Sequence, residues 1–219
     1  MIRNRFLMVI LLSAAALQAQ ASDWFPLENG RSWIYADSGG GTTSVDVHSQ
    51  ELFEGETVWP VVYSSGTHEY YSVDGDGRVL FHGLILPNDY SLVFNPPIVR
   101  MEASLVSGQS WESNVEAVMF TDEGEEYRRE AYRASFTVVG TTTVSVLAGT
   151  FQAIEVQRLD ESNLVFPISF TEAFVEGIGW VRRGDDSSQA ILFQLEAYGV
   201  GGVASESMSW GALKALYSD

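Results

Sequence analysis

The sequence predicts an all-β protein built on a single curved antiparallel meander sheet, either a half-barrel or an open barrel. Polar and apolar residues alternate with a period of two through most of the chain, as strands with one sheltered face require. Short glycine- or acid-rich breaks such as "DSGGG", "DGDG" and "TDEGEE" separate these stretches. Such short connections favour antiparallel neighbours, because a parallel crossover needs a dozen or more residues. At most short helical segments are expected.

The first 21 residues are typical of a secretory signal peptide. Two early arginines precede an apolar run at residues 6–17, and a small-x-small end, "AQA", follows at residues 19–21. The apolar run is too short to span a bilayer. We expect cleavage after residue 21, followed by export of residues 22–219 to the periplasm or the medium as a single domain that does not span the membrane.

Composition excludes several classes of function. The net charge is −17 and becomes −19 once the two signal-peptide arginines are lost. A chain this acidic repels phosphate backbones, so no nucleic-acid partner is expected. There is no cysteine, which excludes disulfides, thiolate metal ligands and a cysteine nucleophile. No cofactor motif and no metal-binding motif is identified.

Eleven strand candidates follow from the alternation. Pro60 lies inside one of them and predicts an edge position or a bulge there. The candidates are Ser32–Ala36, Thr42–Leu52, Thr57–Tyr63, Thr67–Val73, Arg78–Leu84, Val115–Phe120, Tyr127–Val139, Thr142–Leu147, Phe151–Leu159, Ile178–Arg183 and Ala190–Tyr198.

Three stretches depart from the meander pattern. Residues 86–99, "LPNDYSLVFNPPIV", are punctuated by proline and are interpreted as a long connection, a candidate lid or flap. Residues 163–177 are apolar around Pro167 and are expected to cover one end of the sheet. The tail, from about residue 199, begins as a flexible segment.

The stretch "SVDGDGRVLF" at residues 72–81 resembles a calcium loop at first sight. A loop of the EF-hand type needs an oxygen ligand at its fifth position and glycine at its sixth, but Arg78 and Val79 occupy these positions. Asp-Gly between alternating strands predicts a hairpin turn instead. In the centred register His68 and His82 lie on opposite faces, and Glu69 lies opposite His82. A shared zinc ion is therefore not expected.

The six tryptophans and nine tyrosines are either core residues or the lining of a ligand-binding surface. The candidate ligand-binding residues are Trp33, Tyr71, His82, Trp111 and Trp180. No Gly-x-Ser-x-Gly elbow or phosphate-binding loop occurs, so no catalytic residue is assigned.

Three hypotheses for the function remain open. The favoured hypothesis is a non-catalytic exported β-domain that binds a hydrophobic or envelope-derived ligand, or a partner protein, on its concave face. The first alternative is a hydrolase that uses carboxylates or the pair of His82 and Glu69. The second is a structural or assembly module of the cell envelope, which would present an exposed apolar patch or a long unpaired edge strand.

Three segments together resemble a set of uncharacterised exported bacterial proteins. They are "FPLENGRSWIYA" at residues 25–36, "VSVLAGTFQAIEVQRL" at residues 144–159 and "EGIGWVRRGD" at residues 176–185. They match the set's patterns F/Y-P-L-x-x-G-x-x-W-x-Y, A-G-T-F-x-A-I-x-V and G-x-G-W/L-V. Many members look like lipoproteins, whereas this chain lacks the cysteine that would be lipidated. The resemblance implies a curved antiparallel sheet, similar in fold to the half-barrels of the lipoprotein carriers LolA and LolB.

Overall fold

The structure, a computed structural model, describes residues 21–87, 90–162, 168–186, 190–200 and 203–204. Within these residues it contains one short helix and fourteen strands. They are α1 (Ala21–Trp24), β1 (Arg31–Asp37), β2 (Thr42–Val47), β3 (Glu51–Phe53), β4 (Glu56–Tyr63), β5 (His68–Val73), β6 (Val79–Ile85), β7 (Ser91–Met101), β8 (Ser110–Phe120), β9 (Glu126–Val146), β10 (Gly149–Ser162), β11 (Ile168–Val175), β12 (Gly179–Asp185), β13 (Ile191–Val200) and β14 (Val203–Ala204).

The strands form one antiparallel sheet that closes into a barrel of twelve strands. Neighbours follow chain order from β1 to β13, except that β3 is a short flap on β4. Closure comes from β1, which pairs along its whole length with β13, from Arg31 opposite Val200 to Asp37 opposite Phe193. The predicted all-β antiparallel sheet is confirmed. It is a closed barrel and neither the half-barrel nor the open barrel that the sequence predicts, because these two end strands satisfy each other's hydrogen bonds.

The alternation of side chains places one set inside the barrel. In β1, Trp33 and Tyr35 are buried, while the alternate residues Ser32 and Ile34 are only partly covered. The Trp33 indole donates to the carbonyl of Ile178 at 2.7 Å, so its polar atom is satisfied inside the core. This inward-facing tryptophan therefore contributes a large apolar surface to the core and also a hydrogen bond that fixes its orientation.

The segment that precedes β1 closes the lower end of the barrel, where the turns at 74–78, 147–148 and 176–178 also lie. Ala21 donates its backbone N–H to the carbonyl of Ala103 at 3.1 Å, and Asp23 accepts from the N–H of Gly177 at 2.7 Å. The opposite end, with turns at 38–41, 64–67 and 121–125, is called the upper end below.

Two segments that the sequence separates from the meander are strands. The predicted lid at residues 86–99 is mostly β7. Its prolines are tolerated because β7 leaves its partner there: the pairing with β6 jumps from Ile98 opposite Phe81 to Val93 opposite Gly83. Likewise β11 fills half of the segment that was expected to cover one end of the sheet. Residues 163–167 lie outside the described residues.

Other strand boundaries shift at bulges. The two candidates on either side of Gly140 form one strand, β9, because Gly140 adopts φ +148° beside a register shift in β10. Pro60 lies at neither an edge nor a bulge, but where β4 exchanges β3 for β2 as its partner. At the C-terminal end β13 continues to Val200 and pairs with β14. Residues 1–20 and 205–219 lie outside the described residues.

The predicted hairpin turn at residues 74–78 is confirmed. One carboxylate oxygen of Asp74 accepts the backbone N–H groups of Asp76 and Arg78 at 3.0 and 2.9 Å. The other accepts from Arg78 Nε at 2.8 Å. The aspartate therefore serves the turn itself, which is how Asx-type turns are stabilised.

Side chains bridge a gap in the lower barrel wall. The backbone pairing of β7 with β8 ends at Asn95 opposite Glu116. Below it, the N–H of Val99 donates to Ser113 Oγ at 2.9 Å, and the indole of Trp111 donates to the Val99 carbonyl at 2.9 Å. These two side chains replace the missing ladder hydrogen bonds.

Replacing Ser113 with alanine is therefore expected to lower the free energy of unfolding by about 1–3 kcal/mol, because the Val99 N–H loses its acceptor. Urea unfolding followed by circular dichroism measures the change. Ser110→Ala is the matched control: this serine is exposed and bonds only Thr137 among the described residues. Its expected change is below about 0.5 kcal/mol, and equal changes for both variants would contradict the bridging role.

Candidate functional site

Charged side chains lie in the middle of the barrel. Glu172 on β11 has no exposed surface, and it pairs with Arg100 of β7 and Arg183 of β12. Arg183 approaches one Glu172 oxygen through Nη2 at 2.7 Å and through Nε at 3.1 Å, while Arg100 Nη2 contacts the other oxygen. One buried carboxylate is thus shared by two cations from opposite parts of the sheet.

A second buried ion pair lies within one strand. Arg158 and Asp160 are two residues apart on β10, so both point into the barrel, and Arg158 Nε donates to Asp160 at 2.9 Å. Glu69 lines the same inner cavity as the three arginines Arg100, Arg158 and Arg183. Together with Glu172 and Asp160 it gives three carboxylates against three guanidinium groups in this part of the interior.

Aromatic rings cover the three guanidinium groups. Each arginine lies within the 6 Å range in which the ring's negative face attracts a cation. The distances from guanidinium carbon to ring centroid are 5.9 Å for Arg100 on Phe25, 5.6 Å on Phe136 and 5.5 Å on Phe174, 5.7 Å for Arg158 on Phe136 and 5.4 Å on Phe170, and 4.7 Å for Arg183 on Phe170 and 4.5 Å on Trp180.

Two tyrosines donate to the remaining interior carboxylate. The hydroxyl groups of Tyr63 and Tyr71 lie 2.9 and 2.8 Å from the same oxygen of Glu69. Burial, reinforced by the charge of Glu69, raises the pKa of both tyrosines well above 10, so both stay neutral donors at neutral pH.

Glu172 stays ionised although it is buried. Burial alone would raise its pKa, but the charges of Arg100, Arg183 and Arg158 lower it to about 2. Arg100 has a buried nitrogen, Nη1, that finds no acceptor among the described residues. Arg100 lines a cavity of about 40 Å³, the inner cavity, which is large enough for a few water molecules.

A larger hollow opens above this cavity at the upper end of the barrel. Its volume is about 250 Å³. It shares five lining residues with the inner cavity, so the two spaces are adjacent and separated only by side chains that line both. Hydroxyl groups, aromatic rings and two charged groups line it. They belong to Tyr35, Thr43, Tyr63, Ser65, Thr67, Glu69, Trp180, Arg183 and Phe193. We call this hollow the mouth.

The barrel brings together three of the five predicted ligand-binding residues. Trp33, Tyr71 and Trp180 line the inner cavity, and Trp180 also lines the mouth. Trp111 lies in the wall below, stacked on Phe136 at 5.2 Å. His82 lies on the outer face of the barrel, so it belongs to a different site.

The predicted faces of the hairpin around residues 74–78 are wrong. Glu69 lies opposite Leu84, not His82, and points inward, while His82 bonds Ser72 on the outer face. His68 lies opposite Ile85, which packs on the outer aromatic cluster, so both histidines face outward. The main reason is the register next to the turn, where Val73 lies opposite Val79 and Tyr71 opposite Phe81, one residue away from the centred register. A shift at Gly83 then adds one more residue before Leu84.

The interior charges were not identified from the sequence, although a signal exists. Glu172 stands between Phe170 and Phe174, at an inward position of β11. Arg158 likewise follows Val156 at an inward position of β10. A charge in place of an apolar residue within such a period-two run indicates a buried polar group. The partner of Glu172 on the distant strand β7, Arg100, cannot be recognised from the sequence around Glu172.

The described residues contain no helix long and apolar enough to cross a bilayer. They also contain no cluster of three His, Asp or Glu side chains that could hold a metal ion.

Comparison with known proteins finds only distant likenesses. No protein-family model and no curated protein matches the chain. A "putative lipoprotein" from Parabacteroides distasonis is 14% identical, with a TM-score of 0.41 over 83% of this chain and 99% of that chain. A "putative exported protein with YmcC-like fold" from Bacteroides fragilis is 12% identical, with a TM-score of 0.36 over 83% and 99%. The "hypothetical lipoprotein YmcC" from Escherichia coli is 13% identical, with a TM-score of 0.35 over 80% and 79%.

Proposed function

We propose that this chain is an exported protein that binds a small amphipathic ligand, of the size and chemistry of a sugar unit from the cell envelope, in the mouth of its barrel. The observation that carries the proposal is the composition of the mouth, where the rings of Trp180 and Phe193 lie beside Thr43, Thr67 and Arg183. Small-molecule sites commonly combine aromatic walls with a few polar groups that orient the ligand.

The charges of the mouth narrow the ligand class. A purely hydrophobic ligand would strip water from Glu69 and Arg183 without replacing its hydrogen bonds, which is unfavourable. A sugar ring offers an apolar face for Phe193 and hydroxyl groups for the polar residues. The inner cavity, at about 40 Å³, is large enough for a few water molecules but too small for a sugar unit.

The alternatives have less support. Glu69 and His82 lie on opposite sides of the barrel wall, so they do not form an acid–base pair. An assembly module would present a long unpaired strand edge, but among the described residues β1 pairs with β13, and side chains bridge the lower wall where the ladder between β7 and β8 ends.

Replacing Phe193 with alanine is expected to weaken saccharide binding about two- to twelvefold, since an aromatic contact contributes roughly 0.5–1.5 kcal/mol. Native mass spectrometry of protein purified from its own periplasm identifies the co-purified ligand. A titration followed by tryptophan fluorescence, with that ligand and a panel of mono- and disaccharides, then gives the Kd.

Phe151→Ala is the matched control for this experiment. Phe151 is also partly buried and makes an edge contact with one aromatic ring, Tyr198 at 6.4 Å, as Phe193 does with Trp180 at 6.0 Å. Its replacement should change Kd less than twofold because it lies at the lower end of the barrel. A co-purified lipid without any saccharide, or equal effects of both variants, would contradict the proposal.

A further inference from the structure

A serine and a histidine are hydrogen-bonded in a cleft on the outer face of the barrel. Ser72 of β5 and His82 of β6 approach each other with Oγ and Nε2 2.8 Å apart. The cleft has a volume of about 710 Å³ and shares no lining residue with the inner cavity or the mouth. It is therefore a second site, independent of the proposed ligand-binding site.

Backbone irregularities form this cleft. Opposite His82, β7 bends away from β6 at residues 94–97, since the pairing jumps from Ile98 to Val93. On the other side, the hairpin of β3 and β4 folds over the sheet through a stack of Phe53 on Tyr70 at 4.1 Å. The imidazole ends up 9% exposed between these two walls.

The environment keeps the imidazole uncharged at neutral pH. Burial lowers the pKa of His82, and the charge of Glu56 opposes this shift only in part. A neutral imidazole that already bonds a serine hydroxyl can accept its proton. A serine–histidine pair can also be purely structural, so a catalytic role requires further groups in the cleft that would bind a substrate.

The remaining lining groups suit an acyl-transfer reaction on a cationic substrate. Asn95 is exposed at the cleft, and its side-chain amide can donate to a developing oxyanion. Three carboxylates line the cleft, and of these Asp74 is paired with Arg78. Glu54 and Glu56 form no ion pair within the described residues, and no arginine or lysine of that part of the chain lines the cleft.

We propose that the outer cleft is a catalytic site for ester hydrolysis, with Ser72 as nucleophile and His82 as general base, acting on esters that carry a positive charge. Ser72 Oγ attacks the carbonyl carbon while His82 Nε2 takes its proton. The C–O bond to the alcohol then breaks, the alcohol leaves with that proton, and an acyl group remains on Ser72. Water, deprotonated by His82, attacks the acyl carbon, which releases the carboxylic acid and restores the Ser72 hydroxyl.

A fluorophosphonate probe tests the nucleophile whatever the natural substrate is. Intact mass and peptide mapping should show one adduct, on Ser72, in the wild-type protein and none in Ser72→Ala. His82→Gln should slow labelling by at least about 100-fold, whereas the control His68→Gln should leave it unchanged. Circular dichroism verifies that each variant is folded. A folded wild-type protein without an adduct on Ser72, or with labelling that is unaffected by His82→Gln, would overturn the proposal.

Two esters test the substrate class. Acetylcholine should be hydrolysed with a kcat/KM about tenfold above that of its uncharged isostere 3,3-dimethylbutyl acetate, and Glu56→Gln should reduce this ratio. A ratio of one refutes the preference for cations. Labelled protein that hydrolyses neither ester refutes the assignment to esters.

Discussion

Replacing Glu172 with glutamine is expected to lower the free energy of unfolding by about 3–5 kcal/mol at pH 7. The carboxylate is completely buried, and it is the shared counter-charge of Arg100 and Arg183. Glutamine preserves the shape but leaves two cations beside a neutral amide in the barrel interior. Equilibrium unfolding in urea measures the loss.

Glu161→Gln is the matched control for this prediction. Glu161 also pairs with an arginine from a neighbouring strand, Arg133, but at the surface, where the side chains of both partners keep more than a third of their area exposed. The same chemical change should therefore alter stability by less than about 1 kcal/mol. Equal losses in both variants would show that the interior ions do not depend on Glu172.

The same carboxylate predicts how stability varies with pH. The pKa of Glu172 is lowered from 4.5 to about 2 in the folded protein, so its contribution is complete above pH 4.5 and is lost as pH falls through about 2. The difference in unfolding free energy between the wild type and Glu172→Gln should therefore shrink over this window. A difference that stays constant from pH 6 to pH 2.5 would contradict this origin.

Replacing Gly83 with alanine is expected to cost about 2–4 kcal/mol. Gly83 has φ +157°, and a Cβ there would lie 2.2 Å from the carbonyl oxygen of Leu92 and 3.1 Å from the Cα of Val93. Both are backbone atoms of β7, so the sheet itself must shift to make room. Thermal and urea unfolding measure the change.

Gly75→Ala is the control for Gly83→Ala, because Gly75 is a glycine in the adjoining turn at residues 74–78. A Cβ at Gly75 would meet no atom within 4 Å, and its φ is not in the positive region. Stability should change by less than about 0.5 kcal/mol. If Gly83→Ala were equally harmless, β6 and β7 would not be in the close contact that positions His82.

Local alternation was sufficient to identify most strands. In β1 buried and partly exposed positions alternate regularly, so this strand was predicted with an error of one residue at each end. In β7 the pattern is obscured by Pro96 and Pro97, which are compatible with a strand only because β7 leaves β6 at that point. Whether a proline interrupts a ladder depends on where the neighbouring strand runs, which is not encoded next to the proline.

The candidate sites show the same division. Trp33, Tyr71 and Trp180 were found because aromatic residues on strands are conspicuous. Arg100 and Glu172 were missed as a pair because 71 residues separate them in the chain and only the closed barrel brings them together. His82 was assigned the wrong neighbour because the pairing of β5 with β6 begins with Val73 opposite Val79, one residue away from the centred register, and a one-residue slip exchanges the two faces.

The sequence by itself determined the all-β class, the antiparallel order and the turn at residues 74–78, because these follow from side-chain periodicity and turn chemistry within a few residues. Only the tertiary structure decided that β1 pairs with β13, that arginines and carboxylates meet inside the barrel, and that Ser72 meets His82 outside it. Each of these depends on registers and bulges summed over many strands. A turn that first resembled a calcium loop therefore connects β5 and β6, the two strands that carry the Ser72–His82 pair on the outer face of the barrel.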